Sequence, residues 1–290
     1  MRKINDILIF WYNFVKQFIL YPIKKKTNVG YKKIEINKNL KNTYQGKRCF
    51  ILGNGPSLKK ESLFLLHNNY VFTVNQIARN SQFDNINPVA HFWVDDNFFK
   101  IDTQKEEDLE LLRMMKAVPE QKKDTLCFYP LKQEQFIKKH RLDNENVRYL
   151  LPELRISESY NFKADLTRYT PNFGTVVQHA IYVAIYMGFK EIYLLGCDST
   201  GIISTLNAKL QSENSTYSYK VTENEKKRME SMVDSSDITS YAYSYYMTLQ
   251  GFKILKKYCD KRKIKLVNLS CESVLDMLPR QSLEDVICNI

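Results

Sequence analysis

The most informative stretch of the chain is Arg48-Cys49-Phe50-Ile51-Leu52-Gly53-Asn54-Gly55-Pro56-Ser57-Leu58. A short apolar run ends in Gly-Asn-Gly-Pro-Ser-Leu, and a helix-like pattern follows through Lys59, Glu61, Leu63, Leu65 and Leu66. This reads as strand, tight turn, helix. The two glycines permit positive φ and close approach of a ligand to the backbone. Pro56 suits a first helical turn, and Ser57 is a good capping residue. Such a turn aims backbone N–H groups and the positive end of a helix at an anion, and a nucleotide phosphate is the natural guest. The pattern is not Gly-x-Gly-x-x-Gly, because Leu58 stands at the third glycine. It is not a P-loop, because no Gly-Lys-Ser/Thr follows. A purely structural strand–helix turn is the alternative.

Strand-like and helix-like segments alternate along the rest of the chain. Apolar runs at Tyr70 to Val74, Ala90 to Val94, Thr125 to Tyr129 and Val147 to Leu150 read as strands, with a charged helix at about 104–117. The strongest helix runs from Thr175 to Met187 and stops at Gly188, and Glu191 to Gly196 is then a buried strand. The polar stretch 201–237 contains no strong strand. A helix at about 238–259 leads into a strand at Lys263 to Ser270. Strands separated by helices imply an α/β, Rossmann-like, mostly parallel sheet with helices on both faces, of the single-domain GT-A-like kind. Ligands of such sheets sit beyond the carboxyl ends of the strands. Those ends carry Gly53-Asn54-Gly55, Asn75-Gln76, Asp95-Asp96, Asp198-Ser199-Thr200 and Asn268, a polar rim where a nucleotide site belongs.

Composition narrows the classes. A chain of 290 residues, 44% hydrophobic and 13% aromatic, has enough apolar material for a folded core and is not disordered. A net charge of +11 points to anionic substrates or an anionic membrane surface, and no nucleic-acid motif of the usual kinds accompanies it. Six scattered cysteines without a Cys-x-x-Cys pair, and four histidines without ligand spacing, imply reduced thiols, a cytoplasmic compartment and no metal site. His179, inside the apolar helix, reads as a core histidine.

Residues 1–26 read as an amphipathic membrane-surface helix. Positions 4, 7, 8, 11, 14, 15 and 18 form one apolar stripe, and Arg2-Lys3 and Lys24-Lys25-Lys26 flank it. Asp6, Asn13, Lys16 and Gln17 argue against a bilayer span, and no small-residue site suggests a cleaved leader. Packing on the protein's own body or on a second subunit, as in a homo-oligomer, is the alternative. Residues 27–46 read as a polar linker or a peripheral strand, and 47–290 as the nucleotide-sugar transferase domain.

Taken together, Ile51 to Leu58, Val74-Asn75-Gln76 and Gly188-Phe189-Lys190-Glu191-Ile192-Tyr193-Leu194-Leu195-Gly196-Cys197-Asp198 resemble bacterial sialyltransferases of glycosyltransferase family 42. They are similar also to the wider "DUF115" group associated with surface-polysaccharide (lipopolysaccharide and capsule) genes. The resemblance covers roughly residues 47–270 in order. It implies transfer of a nine-carbon acidic sugar from a cytidine monophosphate donor, with inversion and without a metal or other cofactor. It places Asn54 and Asn75 on the nucleotide. A donor-binding Ser/Thr-Gly element falls on Asn172-Phe173-Gly174-Thr175, where Gly174 matches, and an upstream family arginine has Arg168 as its nearest counterpart. The family's catalytic histidine falls in Tyr241 to Tyr246, around Tyr243, and this chain has no histidine after His179.

Such a transfer needs hydroxyls, N–H groups or cations around the leaving phosphate, and a base for the acceptor hydroxyl. Tyr217, Tyr219, Lys220 and the tyrosines of 241–246 are candidates for the first task. Asp95, Asp96, Asp198, Asp234 and Asp237 are candidates for the second, Asp95 and Asp96 foremost. The donor set expected is Gly53, Asn54, Gly55, Pro56, Ser57, Asn75, Gln76, Asn172, Gly174, Thr175 and Ser199, with Arg168, Tyr217 and Tyr219 at the phosphate. The expected partners are a nucleotide sugar and a glycan or lipid-linked acceptor at the inner face of the plasma membrane. Two other classes stay open: a pyrophosphokinase-like enzyme using ATP, as in some of the DUF115 group, and a non-catalytic nucleotide-sugar-binding partner.

Overall fold

The computed structural model describes residues 2–158, 160, 161, 163–209, 217–234 and 237–288. Among the described residues eight strands form one sheet: β1 (Arg48–Leu52), β2 (Val71–Val74), β3 (Pro88–Phe92), β4 (Leu126–Pro130), β5 (Val147–Leu154), β6 (Tyr169–Pro171), β7 (Glu191–Leu195) and β8 (Lys265–Asn268). Their order is β6-β5-β4-β3-β2-β1-β7-β8, and every neighbouring pair is parallel. The α/β Rossmann-like expectation is met. The order reverses between β1 and β7, so the crevice beyond their carboxyl ends is where a ligand belongs.

Alternation along each strand builds a core on each face. Cys49 and Ile51 of β1, with Ile192 and Leu194 of β7, enter the larger core. Phe50 and Leu52, with Tyr193 and Leu195, enter the smaller one. With both faces covered, such strands read as unbroken apolar runs, which is why they were visible in the sequence. The helices are α1 (Arg2–Val15), α2 (Tyr21–Thr27), α3 (Glu106–Gln121), α4 (Glu134–Lys139), α5 (Val176–Tyr186), α6 (Gly201–Lys209), α7 (Glu223–Asp234), α8 (Ile238–Asp260) and α9 (Leu283–Cys288). The stretch 201–237, expected to lack strands, holds α6 and α7.

Two expectations are corrected. The segment after the glycine turn is not an α-helix but two tight 3-10 turns, Pro56–Lys60 and Leu63–Leu66. Leu58, Leu63 and Leu66 are all pulled into the smaller core, and the chain must return to β2 within a few residues. The segment 27–46 is not a peripheral linker. Its 3-10 helix Val29–Leu40 sends Tyr31, Ile34, Asn37 and Leu40 into the protein. Asn37 donates to the carbonyls of Tyr149 and Leu166, so the segment is stapled to β5 and the approach to β6.

The amino-terminal helix turns its polar side inward. α1 and α2 are joined by a π-helical segment, Lys16–Leu20, into one run. Asn13 donates to the Arg155 carbonyl and accepts from its N–H. Gln17 and Tyr21 donate to the carbonyls of Tyr169 and Thr167. The helix thereby covers the edge beside β6, which would otherwise present open backbone groups. Among the described residues no helix is long and apolar enough to cross a membrane.

Candidate active site at the strand switch

Two loops cross at the switch point, and their glycines are needed for the crossing. A Cβ on Gly53 would lie 2.3 Å from the Gly196 carbonyl oxygen, and one on Gly55 would lie 2.5 Å from Asp198 Oδ2. Gly53 and Gly55 donate to the carbonyls of Leu195 and Gly196. Asp198, buried at the end of β7, accepts from the Ser57 N–H at 2.8 Å and from the Ser57 hydroxyl. Burial pushes the Asp198 carboxyl above its ordinary range, and the two Ser57 donors pull it back. The glycines therefore admit the neighbouring loop, and both also border the cavity beside it.

That interlock borders a cavity of about 270 Å³. Of the expected donor residues, Gly53, Asn54, Gly55, Asn75, Gln76, Thr175 and Ser199 line it. Asp95, Asp198, Tyr217 and Tyr219 line it as well. Asn54 donates its amide to the Val74 carbonyl at 3.0 Å, which fixes the amide's orientation. Among the described residues its Oδ1 is then left buried without a partner, and so is Oδ1 of Asn75. A buried acceptor left unpaired costs about 1–3 kcal/mol, so two beside one cavity mark where ligand donors belong. Asn75 and Ser199 also hold positive φ, 50° and 54°, a strain that clusters at functional sites.

Helix ends enter from other elements. Thr175, Val176 and Val177 bring the start of α5 to the cavity, and Gly201 brings the start of α6. The positive helix end expected after the glycine turn is thus supplied by α5 and α6 instead. Tyr217 and Tyr219 stack on one another with ring centroids 5.4 Å apart. Burial pushes the Tyr217 phenol up to about 12 and that of Tyr219 well above its ordinary range, so both are neutral donors near pH 7. The Ser218 N–H between them bonds the Asn54 carbonyl, tying this segment to the glycine turn.

Glu225 is a charged lining residue that sequence reading missed, as it missed Phe98 and Phe252. It accepts from Gln76 at 2.6 Å, and Gln76 accepts from Arg79 at 2.5 Å. Arg79 pairs with Glu110 at 2.7 Å. Burial works upward on the Glu110 carboxyl, but Thr222, Asn224 and Arg79 outweigh it and hold it low. Arg228 pairs with Asp108 at 3.0 Å. These bonds clamp α7 against α3 and so place Glu225. Nothing in the spacing of a charged helix marks one glutamate as buried. Among the described residues the lining has no Lys or Arg, and no three metal ligands converge.

Other expected residues lie elsewhere. Asp96 is exposed and bonded to Lys132 and Gln133. Tyr243 is 66% exposed on α8, outside the cavity lining. Arg168 sits against Phe18 and Tyr21 and pairs with Asp165 at 3.7 Å, by the amino-terminal helix. Pro56 opens the 3-10 turn, and the Ser57 side chain is used on Asp198. Asn172 donates its N–H to the Leu154 carbonyl. Gly174 makes room for Thr248, whose Oγ1 would lie 2.5 Å from an added Cβ. Lys220 is exposed, and Asp237 caps α8 through Ser240. The side chain of Asp234 lies outside the described residues. His179 is buried, and desolvation pushes its imidazole down to about 3.

Known proteins can now be compared. A family model described as "MptE-like: 6-hydroxymethylpterin diphosphokinase MptE-like" matches residues 25–201, from within α2 through β7 to the start of α6. The chain belongs to the MptE-like family. No curated protein sequence matches it. Among solved structures it is similar to the sialyltransferase CstII from Campylobacter jejuni in complex with cytidine-5'-monophosphate. The identity is 21%, over 81% of this chain and 85% of that one, with a TM-score of 0.47. The same enzyme with CMP-3FNeuAc gives 21%, 81%, 86% and 0.46. The MAf glycosyltransferase from Magnetospirillum magneticum AMB-1 gives 14% identity over 87% of this chain but 38% of that one, with a TM-score of 0.47.

Proposed function

We propose that this MptE-like chain is a transferase that uses a nucleotide donor, and that the donor is a nucleotide sugar of the cytidine monophosphate kind. The observation that carries the reading is the pair of orphaned amide oxygens, Asn54 Oδ1 and Asn75 Oδ1, beside a cavity at the switch point. They are acceptors waiting for donors, such as an exocyclic amine of a base or a ribose hydroxyl. The phosphate then meets the N–H groups opening α5 and α6 and the neutral hydroxyls of Tyr217 and Tyr219. With three carboxylates and no Lys or Arg among the described lining residues, the site suits a single phosphate diester better than a triphosphate.

In this reading the acceptor hydroxyl, on a surface glycan or a lipid-linked one, attacks the anomeric carbon. The bond to phosphate breaks, the nucleotide leaves with the electron pair, and the hydroxyl proton passes to a base. Asp95 takes that role: it is exposed at the cavity, and its Oδ1 is steadied by the Asn97 N–H at 2.9 Å. Glu225, with Gln76, holds the substrate. No divalent metal is needed. The second reading, a diphosphokinase acting on a pterin with ATP, is favoured by the description of the matching family.

Calorimetry against CMP, UDP, GDP and ATP separates the two. CMP binding that weakens by about 1–2 kcal/mol in Asn54→Ala supports the sugar-transfer reading. Tight ATP binding with no response to CMP overturns it in favour of the kinase.

A further inference from the structure

The amino-terminal helix shows the solvent the side that globular helices hide. Ile4, Leu8 and Trp11 are 63%, 62% and 56% exposed, and Ile7, Ile19 and Ile23 continue the stripe. The helix cannot roll this stripe inward. Asn13, Gln17 and Tyr21 on its other side are bonded to the backbone of Arg155, Tyr169 and Thr167. We infer that this helix is a docking surface for an anionic lipid bilayer, lying flat in the headgroup region with its apolar stripe down.

Charge selects lipid over a second copy of the chain. Residues 1–26 hold six basic residues and one acid, Asp6. The basic residues sit at both ends, Arg2-Lys3 and Lys24-Lys25-Lys26, while Lys16 between them is paired with Glu153 at 2.5 Å. Pairing two such helices, parallel or antiparallel, puts basic ends against basic ends. An anionic surface meets both ends favourably. Among the described residues Lys24 and Lys26 make no ion pair, while Lys25 pairs with Glu35. Arg155 lies over the Tyr12 ring and Arg168 over Phe18, adding cations along the stripe, the latter shared with Asp165. Trp11 and Tyr12 belong to the aromatic types that favour a membrane interface.

The helix also has a direction. Asn13 meets Arg155, just past the carboxyl end of β5, whereas Gln17 and Tyr21 meet Tyr169 and Thr167 at the start of β6. The helix therefore runs against the strands. Residues 4–13 carry it about 14 Å onward, on the side of the sheet where the cavity opens. β6 and β1 are five strand spacings apart, roughly 24 Å. A bilayer held by this helix lies within reach of the cavity mouth for an acceptor on a lipid-linked chain. The lipid surface rests on the helix alone and stands apart from the transferase reading.

The test is co-sedimentation of the full chain with vesicles of phosphatidylcholine, with and without phosphatidylglycerol. Binding should need the anionic lipid and weaken in high salt. Lys24, Lys25 and Lys26 all changed to Gln should weaken it about a hundredfold, at about fivefold for each lysine. Leu8→Glu with Trp11→Glu should abolish binding, while melting temperature and nucleotide affinity stay as in the parent, because both side chains point to solvent. No binding to anionic vesicles overturns the inference. So does a dimer in solution that Leu8→Glu dissociates without any change in vesicle binding. Loss of nucleotide binding in the parent chain would bear on the transferase reading and leave this one standing.

Discussion

Asp198 was a catalytic candidate from sequence, and its geometry makes a different prediction that one pair of variants decides. Both carboxylate oxygens are taken by Ser57, one by its N–H at 2.8 Å and the other by its hydroxyl. Asp198→Asn can keep both bonds. The amide oxygen accepts the N–H, and the amide nitrogen donates to the hydroxyl oxygen, which only has to rotate its proton. The substitution also removes a group whose charged form burial disfavours. The folded-state pKa of Asp198 is raised by burial, so its contribution to stability is whole below the unfolded carboxyl value. That contribution is lost as pH rises through the folded value. Asn should therefore change unfolding free energy by less than about 1 kcal/mol. Asp198→Ala leaves two buried donors unpaired, at about 1–3 kcal/mol each, for a loss of about 2–6 kcal/mol. Urea unfolding at pH 7 measures both, and calorimetry with the nucleotide follows donor binding. Turnover in Asp198→Asn should stay within about tenfold of the parent, well short of the 10²–10⁴ of a lost general base. Equal stability of Asn and Ala, or an Asn variant that binds donor normally but has lost turnover, would refute the scaffold role.

Asp95→Asn should lower turnover by about 10²–10⁴ with donor affinity unchanged, whereas Tyr243→Phe should leave both intact; steady-state kinetics compare them. Turnover should survive exhaustive EDTA treatment, and a loss that Mg²⁺ restores would assign Asp95 and Glu225 to a metal. His91 and His179 are buried, and desolvation pushes each down to about 3. Below about pH 6.5 the unfolded chain binds protons that the folded one refuses, so stability should fall toward pH 4 by up to about 1.4 kcal/mol per pH unit for each histidine. A variant lacking either histidine should show a slope shallower by that amount in urea titrations. Gly55→Ala should destabilise the fold as well as donor binding, because its Cβ meets Asp198 Oδ2 at 2.5 Å, and thermal unfolding reads it directly.

Most strands were legible because a sheet covered on both faces demands unbroken apolar runs, as at Cys49 to Leu52 and Ile192 to Leu195. β6 was not, because three residues, Tyr169 to Pro171, carry no period. The segment 27–46 misled because its Lys and Asn content hides a buried spacing of three, Tyr31, Ile34, Asn37 and Leu40, that fits a 3-10 helix. At the site, polar residues at strand ends could be found from topology alone, and Asn54, Asn75 and Asp95 do line one cavity. Glu225 could not, since its burial depends on Gln76, Arg79 and Glu110, all distant in sequence. Arg168 illustrates the reverse: a plausible phosphate ligand by position that the sheet carries to its far edge.

The strand order has a consequence for how the chain acquires its site. From β1 to β6 each new strand adds beside the one made just before, so the sheet can grow outward as synthesis proceeds. The other edge of β1 has no partner until β7 arrives, and Arg48 then pairs with Glu191. The interlock of Ser57 with Asp198 closes a loop of 141 residues. Pairings this distant are slow to form, and an apolar strand edge left open meanwhile invites association with other chains. Until residues near 200 have left the ribosome there is no crevice for a nucleotide to enter, so the donor cannot assist the early stages of folding. A nascent chain arrested before β7 should therefore be both inactive and prone to aggregate, however complete its first six strands.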